Sequence, residues 1–176
     1  MSQIPTPKQE YSLTGPMSEL YSIEITTTAL CNLGCTYCFE GVKTDKRRLD
    51  DKVDVVIKRI GEFLEADWFK KNYKTLQLSF WGGEPTLNPA LVIQVIQAFQ
   101  DRDNVKFHLY TNGYNRKRLD QIVDAVDLNK LDVQISWDGQ EISDKFRITH
   151  SGKGSSAQVL ENLEYFTTKG VRINLK

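Results

Sequence analysis

Apolar residues follow two spacings along this chain, and stretches of the two kinds alternate: every second residue, as in strands, and every third or fourth residue, as in helices. Alternating or β-branched runs predict five strands, at residues 21–28, 76–80, 105–110, 131–137 and 171–175. Apolar residues that recur every three or four positions predict four helices, after Asp50–Asp51, after Asn88–Pro89, after Gly113 and after Ser155 or Ser156. The polar stretch 140–154 is predicted to be a long loop.

Strands that alternate with single helices predict an α/β fold with a parallel sheet and right-handed crossovers. Residues 1–20 lack the pattern and are predicted to be an N-terminal lead-in, and 21–176 one domain. Parallel α/β enzymes place their chemistry at the carboxyl ends of the strands. Four unusual stretches follow strands and are therefore expected to meet at that edge, namely 31–38, 82–86, 111–113 and 138–139.

Composition narrows the possible partners. The 176 residues are 40% hydrophobic and 26% charged, which is typical of a globular domain. Lys+Arg and Asp+Glu number 23 each, so there is no electrostatic argument for nucleic acid or an anionic membrane as the main partner. No apolar run reaches the length of a membrane span, and the polar N-terminus lacks the apolar stretch of a signal peptide. We therefore expect a cytoplasmic protein.

All three cysteines lie in the stretch Cys31-Asn32-Leu33-Gly34-Cys35-Thr36-Tyr37-Cys38. In a reducing compartment this clustering favours thiolate ligation over disulfides. Three thiolates can bind one face of an iron–sulfur cube and leave its fourth iron open. The alternatives are buried small residues, or a zinc site in which His108 or His150 is the fourth ligand.

This cysteine spacing, followed by Phe39, resembles the motif of the radical S-adenosylmethionine (SAM) enzymes. Further similarities are the stretches Gly82-Gly83-Glu84-Pro85 and Tyr110-Thr111-Asn112-Gly113. The resemblance implies a partial (β/α) barrel and a [4Fe-4S] cluster on Cys31, Cys35 and Cys38. It also implies that the amino and carboxylate groups of SAM chelate the fourth iron.

The resemblance implies that the stretch Gly82-Gly83-Glu84-Pro85 lines the methionyl end of SAM. Missing side chains at Gly82 and Gly83 would let the backbone approach the ligand, and the Glu84 carboxylate or a carbonyl would accept from the SAM ammonium. Asn112 is expected to face the cofactor. Tight turns are the alternative interpretation of both stretches.

Other residues receive roles from the same resemblance. Ser136 or Asp138 is expected to contact the SAM ribose, with an Asp-Gly turn as the alternative for Asp138. Tyr37 and Phe39 would pack beside the cluster and adenine. Arg147 would meet a carboxylate of SAM or of a peptide, and a solvated arginine is the alternative.

Residues 135–139, 144–147 and 152–155 resemble a subgroup of maturases that modify peptides or proteins, the SPASM-type enzymes similar to anaerobic sulfatase-maturating enzymes. The implied reaction is reductive cleavage of SAM to a 5′-deoxyadenosyl radical that abstracts hydrogen from a peptide or protein. Its electron would come from a donor such as flavodoxin or ferredoxin. A glycyl-radical activating enzyme and a small-molecule radical enzyme are the alternatives within the family.

Two departures from the family pattern concern the C-terminal part of the chain. Radical SAM cores typically have six βα units, whereas this chain ends on its fifth predicted strand. The subgroup usually has a C-terminal cysteine-rich extension, and no cysteine remains for one. We therefore expect a truncated core that self-associates, or is completed by a partner, through the open edge of its fifth strand.

Overall fold

The computed structural model describes residues 18–38 and 52–176. Its strands are β1 (Ser18–Thr28), β2 (Tyr73–Gly82), β3 (Val105–Thr111), β4 (Leu131–Ile135) and β5 (Arg172–Leu175). Its helices are α1 (Val53–Glu65), α2 (Asp67–Asn72), α3 (Pro89–Phe99), α4 (Arg116–Val123), α5 (Gln140–Phe146) and α6 (Ser156–Thr168), with a 3-10 helix at Pro85–Leu87.

The five strands form one sheet in the order β1-β2-β3-β4-β5, and every neighbouring pair is parallel. The predicted α/β fold with a parallel sheet is therefore confirmed. β1 and β5 are its two edges, so the described sheet is open. Because all strands run the same way, their carboxyl ends lie along one edge.

The two faces of the sheet differ in polarity. Side chains such as Leu78, Phe107 and Val133 are almost fully buried against apolar residues of the helices. Burial of one such side chain contributes about 1.5–3 kcal/mol to folding. Across the other face Ser79, His108 and Asp132 lie in register, so this face is polar. The apolar alternation fixes which way the strand-end residues point.

The prediction of four helices is incomplete, because the described residues contain six α-helices. α5 lies within the stretch that was predicted to be a polar loop. Its seven residues are mostly polar and have no apolar stripe, and it begins after Gly139, whose φ is +87°. α2 has only six residues, too few for a helical period to show. None of the described helices is long and apolar enough to cross a membrane.

The capping residue predicted for α3 is confirmed, whereas the start of α6 is stabilised by a residue that was not predicted. The Asn88 side chain accepts from the Leu91 N–H at the start of α3, as predicted. Ser155 occupies the capping position of α6, but its side chain makes no capping hydrogen bond. Instead, the Asp144 carboxylate accepts from the Ser156 N–H and hydroxyl, at 2.9 and 2.7 Å. The predicted start of the first helix at Asp50–Asp51 lies outside the described residues.

Candidate active site

A cavity of about 320 Å³ opens at the carboxyl edge of the sheet. Such a volume is typical of a small-molecule site. Its walls come from the loop after β1, the turn after β2, the ends of β3 and β4, and the residue after α5. They comprise Cys31, Cys35, Tyr37, Cys38, Trp81, Gly82, Gly83, Glu84, Pro85, Tyr110, Thr111, Asn112, Ser136 and Arg147. The predicted gathering of these stretches is thus observed, although 138–139 does not line the cavity.

The cysteine loop, residues 31–38, places all three thiols on the cavity wall. Cys31 and Cys35 are half-buried and Cys38 is exposed, and none of the three forms a disulfide. Burial raises the pKa of Cys35, and the nearby positive charge of Arg147 opposes that rise. Within residues 18–38 and 52–176, no three Cys, His, Asp or Glu side chains lie close enough together to hold a single metal ion.

Gly82, the last residue of β2, and Gly83 let the chain touch residues 28–30, which lead into the cysteine loop. Gly82 has φ +133°, and a Cβ there would lie 2.4 Å from the Thr28 carbonyl oxygen. At Gly83 a Cβ would lie 2.1 Å from the Leu30 carbonyl oxygen. Backbone bonds fix this approach: Gly83 N–H donates to Thr28 at 2.9 Å, and Glu84 N–H donates to Leu30 at 2.8 Å. The space beside both glycines is therefore filled by the protein's own backbone, so this contact by itself requires the missing side chains. Close approach of the same backbone to a ligand stays a prediction.

Glu84 points into the protein and is 1% exposed. Its Oε1 accepts from the Thr86 N–H and hydroxyl and from the Thr111 hydroxyl, and its Oε2 accepts from the Asn112 N–H. Burial raises the pKa of this carboxyl, and these four donors oppose the rise. The side chain thus joins the turn after β2 to the end of β3, a role that sequence reasoning did not predict.

Asn112 connects the end of β3 to the cysteine loop. Its side-chain nitrogen donates to the Asn32 oxygen at 2.9 Å and lies 3.8 Å from the Cys31 sulfur. Its side-chain oxygen accepts from the Tyr114 N–H at 3.0 Å. The Asn112 side chain therefore stabilises the turn, as the alternative interpretation predicts, and also lines the cavity beside a thiol. Its contact with a cofactor stays a prediction.

The segment 146–150, which begins at the last residue of α5, runs along the cysteine loop. Gly34 N–H donates to the Ile148 carbonyl at 2.7 Å, and Thr36 N–H donates to the Phe146 carbonyl at 2.9 Å. An antiparallel bridge pairs Leu33 with Thr149. Sequence reasoning missed this pairing because neither segment has a strand period.

Asp138 lies beside the cavity and not on its wall. Its carboxylate accepts from the Tyr37 hydroxyl at 2.7 Å and from the Arg147 Nε. These two hydrogen bonds lower the pKa of Asp138. Burial raises the pKa of Tyr37, and so does the hydrogen bond that its hydroxyl donates to Asp138. Of the two ribose candidates, Ser136 is the one that lines the cavity. Phe39 lies outside the described residues.

The two histidines occupy different places. His150 Nε2 lies 3.0 Å from the Cys31 carbonyl oxygen, so this ring contacts the cysteine loop. His108 belongs to β3, and its ring centroid lies 4.4 Å from that of Tyr110. Burial lowers the pKa of His108. Neither histidine lines the cavity.

Sequence reasoning missed two aromatic residues of the cavity, Trp81 and Tyr110. Each lies at the end of a strand, and Tyr110 is two residues before Asn112. Because side chains alternate along a strand, residues two apart face the same way. The signal was therefore present in the alternation.

The Radical SAM superfamily model matches residues 25–175, a range that contains every residue of the cavity wall. The chain belongs to the radical SAM superfamily. The open parallel sheet and the cysteine loop at its carboxyl edge are the features that the resemblance to this superfamily predicted.

Curated relatives of this radical SAM chain are longer proteins. It is 28% identical over 158 residues to the cysteine-type anaerobic sulfatase-maturating enzyme of Clostridium novyi, covering 82% of this chain and 40% of that protein. It is 24% identical over 162 residues to the radical SAM cyclopropyl synthase TigE of Paramaledivibacter caminithermalis, covering 83% of this chain and 32% of that protein. The chain therefore spans less than half the length of either relative.

A solved structure has the same fold. Native anSMEcpe with bound AdoMet and the Cp18Cys peptide superposes with a TM-score of 0.69 at 25% identity. The match covers 89% of this chain and 42% of that one. The structure of TYW1 with a lysine-pyruvate adduct, at 21% identity and a TM-score of 0.56, supports the fold alone.

Proposed function

We propose that this chain is the cofactor-binding part of a radical SAM enzyme that modifies a peptide or protein. Cys31, Cys35 and Cys38 would hold a [4Fe-4S] cluster, and SAM would occupy the cavity beside it. When both are bound, one electron delivered through the cluster cleaves SAM to methionine and a 5′-deoxyadenosyl radical, which takes a hydrogen atom from substrate. The observation that carries the proposal is that one loop brings all three cysteines to the same cavity as the turn 82–85 and Asn112.

The donor set fits a cubane cluster. Each thiolate of such a site binds a separate iron atom, so the three sulfurs need not converge on one point. The described thiols line a common wall without forming a single-ion site. Three protein ligands also leave one iron for a ligand in the cavity.

Other side chains would bind and orient SAM. Because both oxygens of Glu84 accept internal donors, backbone carbonyls of the turn are the acceptors proposed for an ammonium group. Ser136 would meet the ribose. Arg147, whose side chain is 15% exposed and lies on the wall, would meet a carboxylate through its terminal nitrogens. Trp81 and Tyr110 would exclude water from the floor of the cavity.

Support for a peptide substrate comes from two relatives. One is named a sulfatase-maturating enzyme, and the similar solved structure contains a bound peptide. An activating enzyme that places a glycyl radical on a partner, or a small-molecule radical enzyme, is the alternative. Mass spectrometry of candidate peptides after incubation with the full-length protein, SAM and dithionite separates these, because only peptide modification changes the peptide mass.

Anaerobic reconstitution tests the cluster. We expect a brown protein with about four irons per chain, the content of one cubane. Cys38→Ala should lose the cluster, whereas the matched variant Thr36→Ala, whose contact with the segment 146–150 is through its backbone N–H, should retain it. A colourless protein with stoichiometric zinc would contradict the proposal.

A zinc site of three cysteines and a histidine is the second candidate, although the side chains of the described residues would have to rearrange to hold a single ion. The contact between His150 and the Cys31 carbonyl favours His150 over His108 as its fourth ligand. In that case His150→Ala should release the metal and His108→Ala should not. The cluster proposal expects full iron content in both variants.

A further inference from the structure

The cysteine loop is hydrogen-bonded to a distant part of the chain. Two backbone N–H groups of the loop, those of Gly34 and Thr36, donate to carbonyls of the segment 146–150. At the start of the loop, the His150 ring contacts the Cys31 carbonyl oxygen at 3.0 Å. The loop backbone thus has partners in this segment at Cys31, Gly34 and Thr36.

Asp138 connects the same two pieces through side chains. It accepts from Tyr37 on the loop and from Arg147 in the segment. The Arg147 guanidinium carbon also lies 5.3 Å from the centre of the Tyr37 ring, and the Phe146 ring centroid lies 6.3 Å from it. The Asp138 carboxylate therefore binds both Tyr37 and Arg147, and the Tyr37 ring also packs against the Arg147 guanidinium and the Phe146 ring.

The segment is itself anchored to the core. Asp144 accepts two hydrogen bonds from Ser156 at the start of α6. α6 packs into the core through residues such as Val159 and Phe166, which are almost fully buried. From the segment, Thr149 N–H donates to the carbonyl of Lys153, which lies between the segment and α6, at 2.8 Å. The support behind the cysteine loop is therefore continuous from the core to Asp138.

We propose that Asp138 and Tyr37 are positioning residues, which together with Arg147 and the segment 146–150 hold the cysteine loop in its ligand-binding shape before the cluster is assembled. This inference rests on the proposed function for its purpose, although its geometry is independent of it. Asp138 then acts through the loop and makes no contact with SAM. Arg147 holds Asp138 through Nε, which leaves its terminal nitrogens for the cavity.

The test compares Asp138→Asn and Tyr37→Phe with Asp120→Asn. Asp120 is a matched control because it also accepts from a tyrosine hydroxyl and a cation, Tyr165 and Lys169, but lies away from the cavity. The carboxylate side chains are similarly exposed, 30% for Asp120 and 34% for Asp138. In the metal-free protein, amide exchange at Gly34 and Thr36 should rise about tenfold in the two test variants, the factor for loss of one charge-assisted hydrogen bond. The control should leave it unchanged.

The reconstituted protein supplies the second measurement. Iron release to a chelator should be several-fold faster in the two test variants, and the electron paramagnetic resonance signal of the reduced cluster should shift, whereas Asp120→Asn should match the parent. Unchanged loop exchange together with weaker SAM binding in Asp138→Asn would overturn the inference and return Asp138 to a cofactor contact. If the parent protein assembles no cluster, the proposed function fails, and the exchange data still decide whether Asp138 and Tyr37 order the loop.

Discussion

A single methyl group at position 83 should push the turn after β2 away from residues 29–30, which lead into the cysteine loop. In Gly83→Ala the new Cβ would lie 2.1 Å from the Leu30 carbonyl oxygen, 2.6 Å from the Leu30 carbonyl carbon and 2.7 Å from the Ala29 oxygen. Real Cβ contacts are essentially never shorter than 3.0 Å, so the backbones must part by about 0.9 Å. All three neighbours are backbone atoms, and no side chain can rotate away to relieve them.

The magnitude follows from the hydrogen bond that spans this contact. Glu84 N–H donates to the Leu30 oxygen at 2.8 Å, and a shift of about 0.9 Å lengthens that distance to about 3.7 Å, beyond hydrogen-bonding range. Loss of this bond, with its buried groups left unpaired, costs about 1–3 kcal/mol, and weakening of the Gly83 N–H bond to Thr28 adds about 1 kcal/mol. We expect a total of about 2–4 kcal/mol.

Urea denaturation measures the stability, and iron content after reconstitution measures the site. Gly83→Ala should lower both, because Leu30 directly precedes Cys31. Gly61→Ala is the matched control: Gly61 lies within α1, and a Cβ there meets nothing within 4 Å. It should gain up to about 1 kcal/mol from helix propensity. If Gly83→Ala has normal stability and normal iron content, this contact does not hold the backbone that leads into Cys31. Loss of SAM binding alone, with stability and iron unchanged, would contradict the prediction in the same way.

Three further predictions concern other contacts. Glu84→Gln should lower the free energy of unfolding by about 1–3 kcal/mol, because its amide would face the Asn112 N–H as a second donor; unchanged urea denaturation would contradict this. Hydrogen bonds from Ser156 lower the pKa of Asp144, so its contribution to stability is present above pH 3.8 and is lost below it. Asp144→Asn should therefore flatten the acid limb of thermal melts, and an unaltered limb would argue against this bond. Self-association through residues 171–175 predicts a mass above that of one chain in light scattering, and a monomer at high concentration with slow amide exchange there would speak against it.

The sequence predicted the sheet and the edge at which the cavity lies, because strand alternation and the helical period are local patterns. It also predicted that the cysteines, Gly82–Pro85 and Asn112 lie at this edge, since short motifs at the strand ends contain them, while their roles stay predictions. It did not predict that Glu84 turns inward, because that direction depends on donors from β3. The pairing of the cysteine loop with segment 146–150 was equally hidden, since a pair of irregular segments has no period that would connect them.

The long separation along the chain between the cysteine loop and the segment that supports it has a consequence during synthesis. More than a hundred residues lie between Cys38 and His150, and the loop cannot take its supported shape until they have been made and folded. At about 5–20 residues per second, translation of that interval takes roughly ten seconds. During that time the three thiols emerge unsupported and open to oxidants. If the chain binds the proposed cluster, iron delivery should follow the synthesis of β4 and of the segment 146–150, and a nascent chain halted before residue 146 should fail to retain iron.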